Sequence, residues 1–320
     1  MAQYPSAGTL LLAALLYVSA AAKINGLYDN GICKSLVETR GYTCQEHQVT
    51  TEDGYILGLQ RIPFGRSGNN STADQKLPVL LQHGLTMDAA AWLLNPPDQA
   101  LAFILADKGF DVWLANARGT ESSRGHKSLR TNDPAYWDWT WDQLAAYDLP
   151  ALFNYVNNQT GQKSHYVGHS LGTLTVLAAL SQLKLINSLR SAALLSPVAY
   201  LGQISTLLIR VATQLFYAEQ LYNFGLREFP PLGVFAQTLQ TLLCTQPGLD
   251  CSNILAAVTG PNCCLNPSSL DLFYEHTPQS TATKNLVHLS QMIRSGTIRM
   301  ERCTFGPKVY DPLLAFFGQH

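Results

Sequence analysis

Residues 168–172 read GHSLG, a G-x-S-x-G pentapeptide with Ser170 at its centre. A short strand-type run (YV) occupies residues 166–167, and residues 173–185 (TLTVLAALSQLKL) have the apolar spacing of a buried helix. This context predicts a nucleophile elbow, a strained strand-to-helix turn that places the serine hydroxyl at the positive end of the helix. Because such pentapeptides also occur by chance, the prediction depends on the flanking strand and helix.

Strand and helix patterns alternate on both sides of this motif. Strand-type runs occupy residues 79–81 (VLL), 110–114 (FDVWL) and 192–195 (AALL), and a helical pattern covers residues 101–108. The alternation predicts an α/β domain with a mostly parallel sheet that helices cover on both faces.

Two local signals add a turn and a helix start. Strand-type residues 47–50 and 55–59 flank the E-D-G sequence at 52–54 and predict a β-hairpin. Asp148, with proline two residues later, predicts the N-cap of a helix over residues 149–156.

The strand patterns stop at about residue 196. Residues 203–243 are rich in Leu, Phe and Tyr at mostly helical spacing, which predicts a helical insertion over the sheet that continues to about residue 294. Its aromatic residues fit either ordinary core packing or the wall of an acyl-chain pocket, since binding sites are concave and mostly apolar. The predicted organisation is a signal peptide (1–22), an α/β core (23–195), a helical cap (196–294) and a divergent tail (295–320).

The N-terminus and the composition bear on compartment and partners. Residues 10–18 (LLLAALLYV) form an apolar core followed by small residues at 19–22, which predicts a secretory signal peptide cleaved near Ala22. This run is shorter than the roughly 20 residues of a membrane span, and no later run is longer, so we expect no transmembrane segment. A net charge of −1, without dense Lys/Arg stretches, argues against nucleic-acid binding.

Cysteines and glycosylation sequons agree with the secretory pathway. The sequence has seven cysteines, a number that suits an oxidising compartment. Zinc binding is the alternative, but no C-x-x-C pair recurs and no His lies at ligand spacing near the late cysteines. We therefore expect disulfides, and neither a metal nor a cofactor. The N-x-S/T sequons that predict glycosylation are at Asn69, Asn70 and Asn158.

An acyl-transfer serine also needs hydrogen-bond donors for the oxyanion. One candidate is the backbone N–H of Leu171, the residue after the serine. The other is the N–H of Leu85, in the H-G-L stretch that directly follows the strand predicted at 79–81. His83 belongs to this same loop, so we do not expect it to be the catalytic base.

Several stretches in a fixed order are similar to the acid lipase family, which contains the lysosomal and gastric acid lipases and their plant counterparts. They are HGLTMDAAAW (83–92), FILADKGFDVWLANARG (103–119), YDLPALFNYV (147–156), GHSLG (168–172) and HTPQSTATKNLVHLSQMI (276–293). The resemblance implies an α/β-hydrolase fold with an inserted helical cap. It also implies a lipase, a carboxylic ester hydrolase that acts on triacylglycerols or steryl esters at a lipid–water interface.

The resemblance also implies roles for single residues. It makes Ser170 the nucleophile of an acyl-enzyme mechanism, with Leu85 and Leu171 as the oxyanion hole. It implies a secreted or lysosomal/vacuolar protein. The disulfides that it implies are Cys244–Cys251 and Cys33–Cys44.

The C-terminal part of the chain departs from the family. The triad of this fold runs Ser, then Asp, then His, with the last two on loops after later strands. Residues 298–320 do not resemble the family, and no matching Asp or His is found, so we expect the C-terminal strands to be missing and the activity to be impaired. Asp311 and His320 have the right order, but a terminal His has no strand behind it. We expect structural roles for the remaining candidates, Asp271, His276 and His288.

Two other functions stay open. A lipid-binding protein would keep the cap pocket and lack the triad. An acyltransferase would use the same serine and an alcohol in place of water.

Overall fold

The computed structural model of the protein describes residues 31–66, 76–204, 206–229 and 267–295. Several predicted features lie outside these ranges. They are the signal peptide, the sequons at Asn69 and Asn70, the Cys244–Cys251 disulfide, and the tail after residue 295 with Asp311 and His320.

Seven strands form one mixed sheet at the centre of the described residues. They are β1 (Gln45–Thr50), β2 (Tyr55–Ile62), β3 (Pro78–Gln82), β4 (Asp111–Ala115), β5 (Gly125–His126), β6 (Ser164–His169) and β7 (Leu189–Leu195). Their spatial order is β1-β2-β4-β3-β6-β7, and β5 pairs with β2. The contacts β4–β3, β3–β6 and β6–β7 are parallel, whereas β2 is antiparallel to each of its neighbours. The predicted hairpin and the parallel half of the sheet are therefore both present.

Helices cover both faces of this sheet. In β3, Leu80 belongs to one apolar cluster, and Val79 and Leu81 belong to another, because successive side chains of a strand point to opposite faces. The first helix packs in the cluster with Val79, and the next two helices pack in the cluster with Leu80. These helices are α1 (Leu101–Asp107), α2 (Leu149–Thr160) and α3 (Leu171–Ser181).

The prediction that Asp148 is an N-cap is wrong. Asp148 has helical dihedral angles (φ −64°, ψ −57°) and its side chain makes no capping bond. The helical path begins at Trp141 and runs through a π-helical turn, Leu144–Asp148, before α2. Thr140 is its N-cap, in a capping box with Gln143. Pro150 has no N–H for the carbonyl of Ala146, the residue four before it, and the Lys184 ammonium donates to that carbonyl instead, at 2.9 Å. Proline therefore lies inside the helical path and does not mark its start.

The region after residue 196 is helical in its described parts. Its helices are α4 (Leu207–Gln214), α5 (Tyr217–Asn223), α6 (Pro267–His276) and α7 (Thr283–Ser295). Arg294 of α7 pairs with Glu219 of α5 and donates to the carbonyl of Thr213 in α4, at 2.8 Å. A short antiparallel pair that the sequence did not predict joins Glu228–Phe229 (β8) to Thr281–Ala282 (β9). The boundary of a separate cap at residue 196 stays a prediction.

Strand β7 forms one edge of the sheet. Within the described ranges it pairs with β6 alone. Four consecutive residues, 190–193, are exposed, and Leu195 at the end of the strand has 41% of its surface exposed.

A disulfide joins Cys33 to Cys44, with 5.3 Å between the two Cα atoms. It connects the helical turn Cys33–Val37 to the segment just before β1. The Cys33 N–H also donates to the carboxylate of Glu46 in β1, at 2.9 Å.

Candidate active site

Ser170 occupies the turn between β6 and α3, as the sequence predicted. Its backbone lies at φ 50° and ψ −112°, a region that costs a non-glycine residue energy. Gly168 and Gly172 allow the backbone segments around Ser170 to lie close together. A Cβ atom on Gly168 would lie 2.9 Å from the Gly172 carbonyl oxygen, and a Cβ atom on Gly172 would lie 2.7 Å from that of Gln82. The G-x-S-x-G spacing is therefore a steric requirement of this strand-to-helix turn.

Hydrogen bonds on both sides hold the turn. The Ser170 N–H donates to the carbonyl of Leu195 at the end of β7, at 3.0 Å. The Thr173 hydroxyl donates to the Ser170 carbonyl at 2.6 Å and accepts from the Val198 N–H at 2.8 Å. These bonds connect the serine to the carboxyl end of β7, beside the start of α3.

The two candidate oxyanion donors are close to Ser170 in the fold. Leu171 is the first residue of α3, and N–H groups of a first helical turn have no partner within their own helix. The loop with Leu85 also approaches the serine, because a Cβ atom on Gly84 would lie only 3.1 Å from the Ser170 Cβ. Leu85 directly follows this contact. The structure thus brings the loop with Leu85 beside the Ser170–Leu171 turn, which the sequence analysis proposed as two distant parts of one site.

His83 is buried beneath this loop. Its Nδ1 lies 2.8 Å from the Gly84 carbonyl oxygen, and its Nε2 accepts from the Ala117 N–H at 3.0 Å. Burial lowers the pKa of His83 to about 4, so the ring is neutral at neutral pH. Both ring nitrogens are engaged by the backbone, which agrees with the expectation that His83 is not the base.

A buried ion network adjoins this loop and was missed by the sequence reasoning. The guanidinium of Arg118 is fully buried, donates to the carboxylates of Asp53 and Asp148, and lies 3.8 Å from the centre of the Tyr55 ring. The two carboxylates outweigh the burial and raise the pKa of Arg118. Arg118 is therefore a permanent cation, placed next to the Ala117 N–H that binds His83.

The structure describes two histidines of the C-terminal part, His276 and His288. His288 is buried, its ring stacks on Trp141 at 4.4 Å between centres, and its Nδ1 lies 4.0 Å from the carboxylate of Asp142. The carbonyl of His276 accepts from the Gln279 side chain, at 2.8 Å. In the part of the chain that the structure describes, no side-chain hydrogen bond involves the Ser170 hydroxyl. A base for Ser170 is therefore not placed by these residues.

The segment after His276 also contacts the loop next to the serine. The Gln279 N–H donates to the carbonyl of Thr86, at 2.7 Å, and its side-chain oxygen accepts from the Glu121 N–H, at 3.0 Å. Thr86 itself has a φ of 55°. The loop that contains Leu85 is thus held from the core by His83 and from the C-terminal side by Gln279.

Three further observations concern metals, membranes and glycans. The described residues include no group of three or more His, Cys, Asp or Glu side chains that could hold a metal ion. Over those same residues, the helices are too short or too polar to cross a bilayer. The one described sequon residue, Asn158, is exposed on α2.

Two family models match this chain. Residues 78–286 match the α/β-hydrolase fold, and residues 33–96 match a partial α/β-hydrolase lipase region. The crystal structure of a Sulfolobus solfataricus protein, 14% identical, has a TM-score of 0.50 and covers 76% of this chain and 73% of its own. These matches show the same fold.

Curated relatives are much closer in sequence. Triacylglycerol lipase 2 of Arabidopsis thaliana is 49% identical over 270 residues, which cover 84% of this chain and 65% of the relative. Lipase member K of Homo sapiens is 40% identical over 272 residues (81% and 66%). Lysosomal acid lipase/cholesteryl ester hydrolase of Macaca fascicularis is 39% identical over 269 residues (79% and 64%). The chain spans slightly less than two thirds of the length of each of these three relatives.

Proposed function

This chain belongs to the α/β-hydrolase fold family, and on that premise we propose that it is a serine lipase with Ser170 as its nucleophile. The observation that carries the proposal is the strained backbone of Ser170 between β6 and α3, with the Gly84 peptide beside it. A fold holds such strain only where the surrounding structure fixes it, which is typical of reactive sites.

The geometry fits ester hydrolysis through an acyl-enzyme. The Ser170 oxygen attacks the ester carbonyl carbon, and the carbonyl oxygen becomes an anion bound by the N–H groups of Leu85 and Leu171. When this intermediate collapses, the alcohol leaves with a proton and the acyl group stays on Ser170. Water then attacks the acyl carbon, and the fatty acid leaves with Ser170 restored.

The proposed substrates are triacylglycerols or steryl esters at a lipid–water interface. Support comes from the names of the relatives, which include triacylglycerol lipases and a cholesteryl ester hydrolase. Exposed large apolar side chains between residues 200 and 224 also suit contact with lipid. They are Tyr200, Val211, Leu215, Phe216, Tyr217 and Phe224.

The rate that this chain reaches depends on a general base for Ser170. A serine hydroxyl without a base stays protonated and is a poor nucleophile. Because the described residues place no base next to Ser170, we expect residues 23–320 alone to hydrolyse esters at a rate near background, above it only by the residual acceleration that the oxyanion hole and binding supply. A lipid-binding protein is the second candidate function, since it would need the apolar surface and no base.

Labelling with a fluorophosphonate probe tests the nucleophile. The probe should form an adduct at Ser170, located by peptide mass spectrometry after long incubation, and Ser170→Ala should abolish it. Ser181→Ala, at the far end of the same helix, is the matched control and should label like the unchanged chain. A folded chain without an adduct at Ser170 would support the lipid-binding function. If added alcohol converts the product from fatty acid to a new ester, the enzyme is an acyltransferase.

We also propose that the protein enters the secretory pathway, as a secreted or lysosomal/vacuolar glycoprotein. The Cys33–Cys44 disulfide, the exposed sequon at Asn158 and the relative named as lysosomal support this proposal. Expression in a secretory host followed by endoglycosidase treatment should shift the mobility of the chain, and Asn158→Gln should reduce the shift. Unchanged mobility together with seven free thiols would contradict the proposal.

A further inference from the structure

The peptide unit between Gly84 and Leu85 contains two groups of interest. Its carbonyl belongs to Gly84, and its N–H is the candidate oxyanion donor of Leu85. A trans peptide is planar, and its carbonyl and N–H point in opposite directions. Whatever fixes the Gly84 carbonyl therefore also fixes the direction of the Leu85 N–H.

The hydrogen bonds of His83 determine which of its nitrogens carries the proton. A backbone N–H can only donate, so the Ala117 N–H requires a lone pair on Nε2 of the His83 ring. In a neutral imidazole the proton is then on Nδ1. The Gly84 oxygen lies 2.8 Å from Nδ1 and accepts this proton in a hydrogen bond.

We propose that His83 is a positioning residue of the oxyanion hole: its Nδ1–H holds the Gly84 carbonyl, and thereby directs the Leu85 N–H towards Ser170. This inference rests on the proposed function of Ser170. The contact between Gly84 and the Ser170 side chain places this peptide against the nucleophile. Thr86, the residue after Leu85, has a φ of 55°, a conformation that persists only where the surrounding structure fixes it. The Met87 N–H also donates to the Gly84 carbonyl, at the longer distance of 3.4 Å, so the bond from His83 is the shorter of the two.

Two variants of equal shape isolate the bond to Gly84. In His83→Asn, the amide Nδ2 takes the place of Nδ1 and can still donate to the Gly84 carbonyl. His83→Leu has the same branched shape and no donor. Both variants lose the acceptor for the Ala117 N–H, so a difference between them reports the Gly84 bond and not general damage to the fold.

The kinetic readout is the residual hydrolysis of p-nitrophenyl butyrate by the full chain. Serine hydrolases that lack triad members keep an acceleration that comes from the oxyanion hole and from substrate binding. This remaining activity is therefore sensitive to the N–H donors of the oxyanion hole. We expect His83→Leu to lower kcat by about 10- to 100-fold at similar KM, and His83→Asn to stay within about threefold of the unchanged chain. Equal kcat values for Asn and Leu would overturn the proposal.

A spectroscopic readout separates this inference from the function on which it rests. In the ¹⁵N-histidine-labelled chain, the ring of His83, assigned by its loss in His83→Asn, should show the protonated nitrogen at Nδ1. A proton on Nε2 overturns the proposal whatever the activity. If the unchanged chain does not exceed the buffer rate and Ser170 forms no adduct, the proposed function fails, and the tautomer still decides the arrangement of His83.

Discussion

Gly172 permits the turn at Ser170 because its side chain is a single hydrogen atom. It lies in the first turn of α3, where alanine would ordinarily favour the helix by about 1 kcal/mol. Here a Cβ atom would meet the carbonyl oxygens of Gln82 and His83 at 2.7 and 3.1 Å, and backbone atoms cannot rotate away.

We expect Gly172→Ala to destabilise the protein by about 1–3 kcal/mol, as overpacking does, and to slow the labelling of Ser170. Urea unfolding and the probe adduct measure the two effects. Gly161→Ala is the control, because its positive φ of 66° carries a cost but nothing lies within 4 Å of the added atom. Its labelling should match the unchanged chain. Unaltered stability and labelling in Gly172→Ala would contradict the steric account.

The neutral ring of His83 links stability to pH. Its pKa in the unfolded chain is about 6.5, and burial lowers it to about 4 in the fold. Between these values the unfolded state binds the proton and the folded state does not, so stability rises with pH. The part of the free energy of unfolding that depends on His83 is fully present above pH 6.5 and is lost as the pH falls towards 4. The difference amounts to about 3 kcal/mol.

His83→Asn should remove this part of the pH dependence. Urea unfolding of both proteins at several values from pH 7 to pH 4 gives the measurement, with the difference in slope as the readout. The other histidines are present in both proteins, and of these His169 is the one whose charge acts on His83. Parallel curves would show that His83 does not titrate in this way.

At the scale of elements, strand β7 is the feature most exposed to other chains. It has one partner strand in the described structure, and its exposed centre includes Ala192 and Ala193. Unpaired edges with small apolar side chains are templates for pairing with further chains. We therefore expect this chain to self-associate through β7.

Ala193→Lys should reduce the self-association, because a charge on an edge strand opposes strand addition. Light scattering across a concentration series measures it. Asn187→Lys adds the same charge in the exposed loop before β7 and is the matched control. If both lysines act alike, net charge and not the strand edge determines solubility.

At the scale of the whole molecule, activity depends on whether a base reaches Ser170. The chain covers 65% of Arabidopsis triacylglycerol lipase 2, and the described residues place no base beside Ser170. In this fold the Asp and His of the triad follow the serine on later loops.

We keep the prediction that this chain has no triad Asp and His, so replacing the residues after Gly296 with those that follow the matched region in that relative should supply a base. We expect ester hydrolysis to rise by about 10³-fold or more, since loss of triad members costs at least this much in serine hydrolases. Esterase assays of residues 23–320 and of the chimera, each with its Ser170→Ala variant, provide the comparison. If the unchanged chain is monomeric and as active as the chimera, a base must be sought among His276, His288 and His320.

The predicted elements and the failed N-cap have different physical origins. The hairpin, β3, β6 and α3 follow from patterns within a few residues, because side-chain alternation and helical spacing are local. The N-cap prediction for Asp148 is wrong because its carboxylate binds Arg118, 30 residues away, and does not cap a helix. The true cap had a local signal: Thr140 and Gln143 form the S/T-x-x-E/Q pattern of a capping box.

The sequence by itself determined the elbow at Ser170, the alternation of strands and helices, and the family resemblance, since each is written in contiguous residues. Tertiary structure alone decided the order of the strands, the burial of Arg118 with Asp53 and Asp148, and the two bonds of His83. The Ala117 N–H that fixes the His83 tautomer lies 34 residues away along the chain. Contacts of that separation depend on how whole elements pack, and no local spacing encodes them.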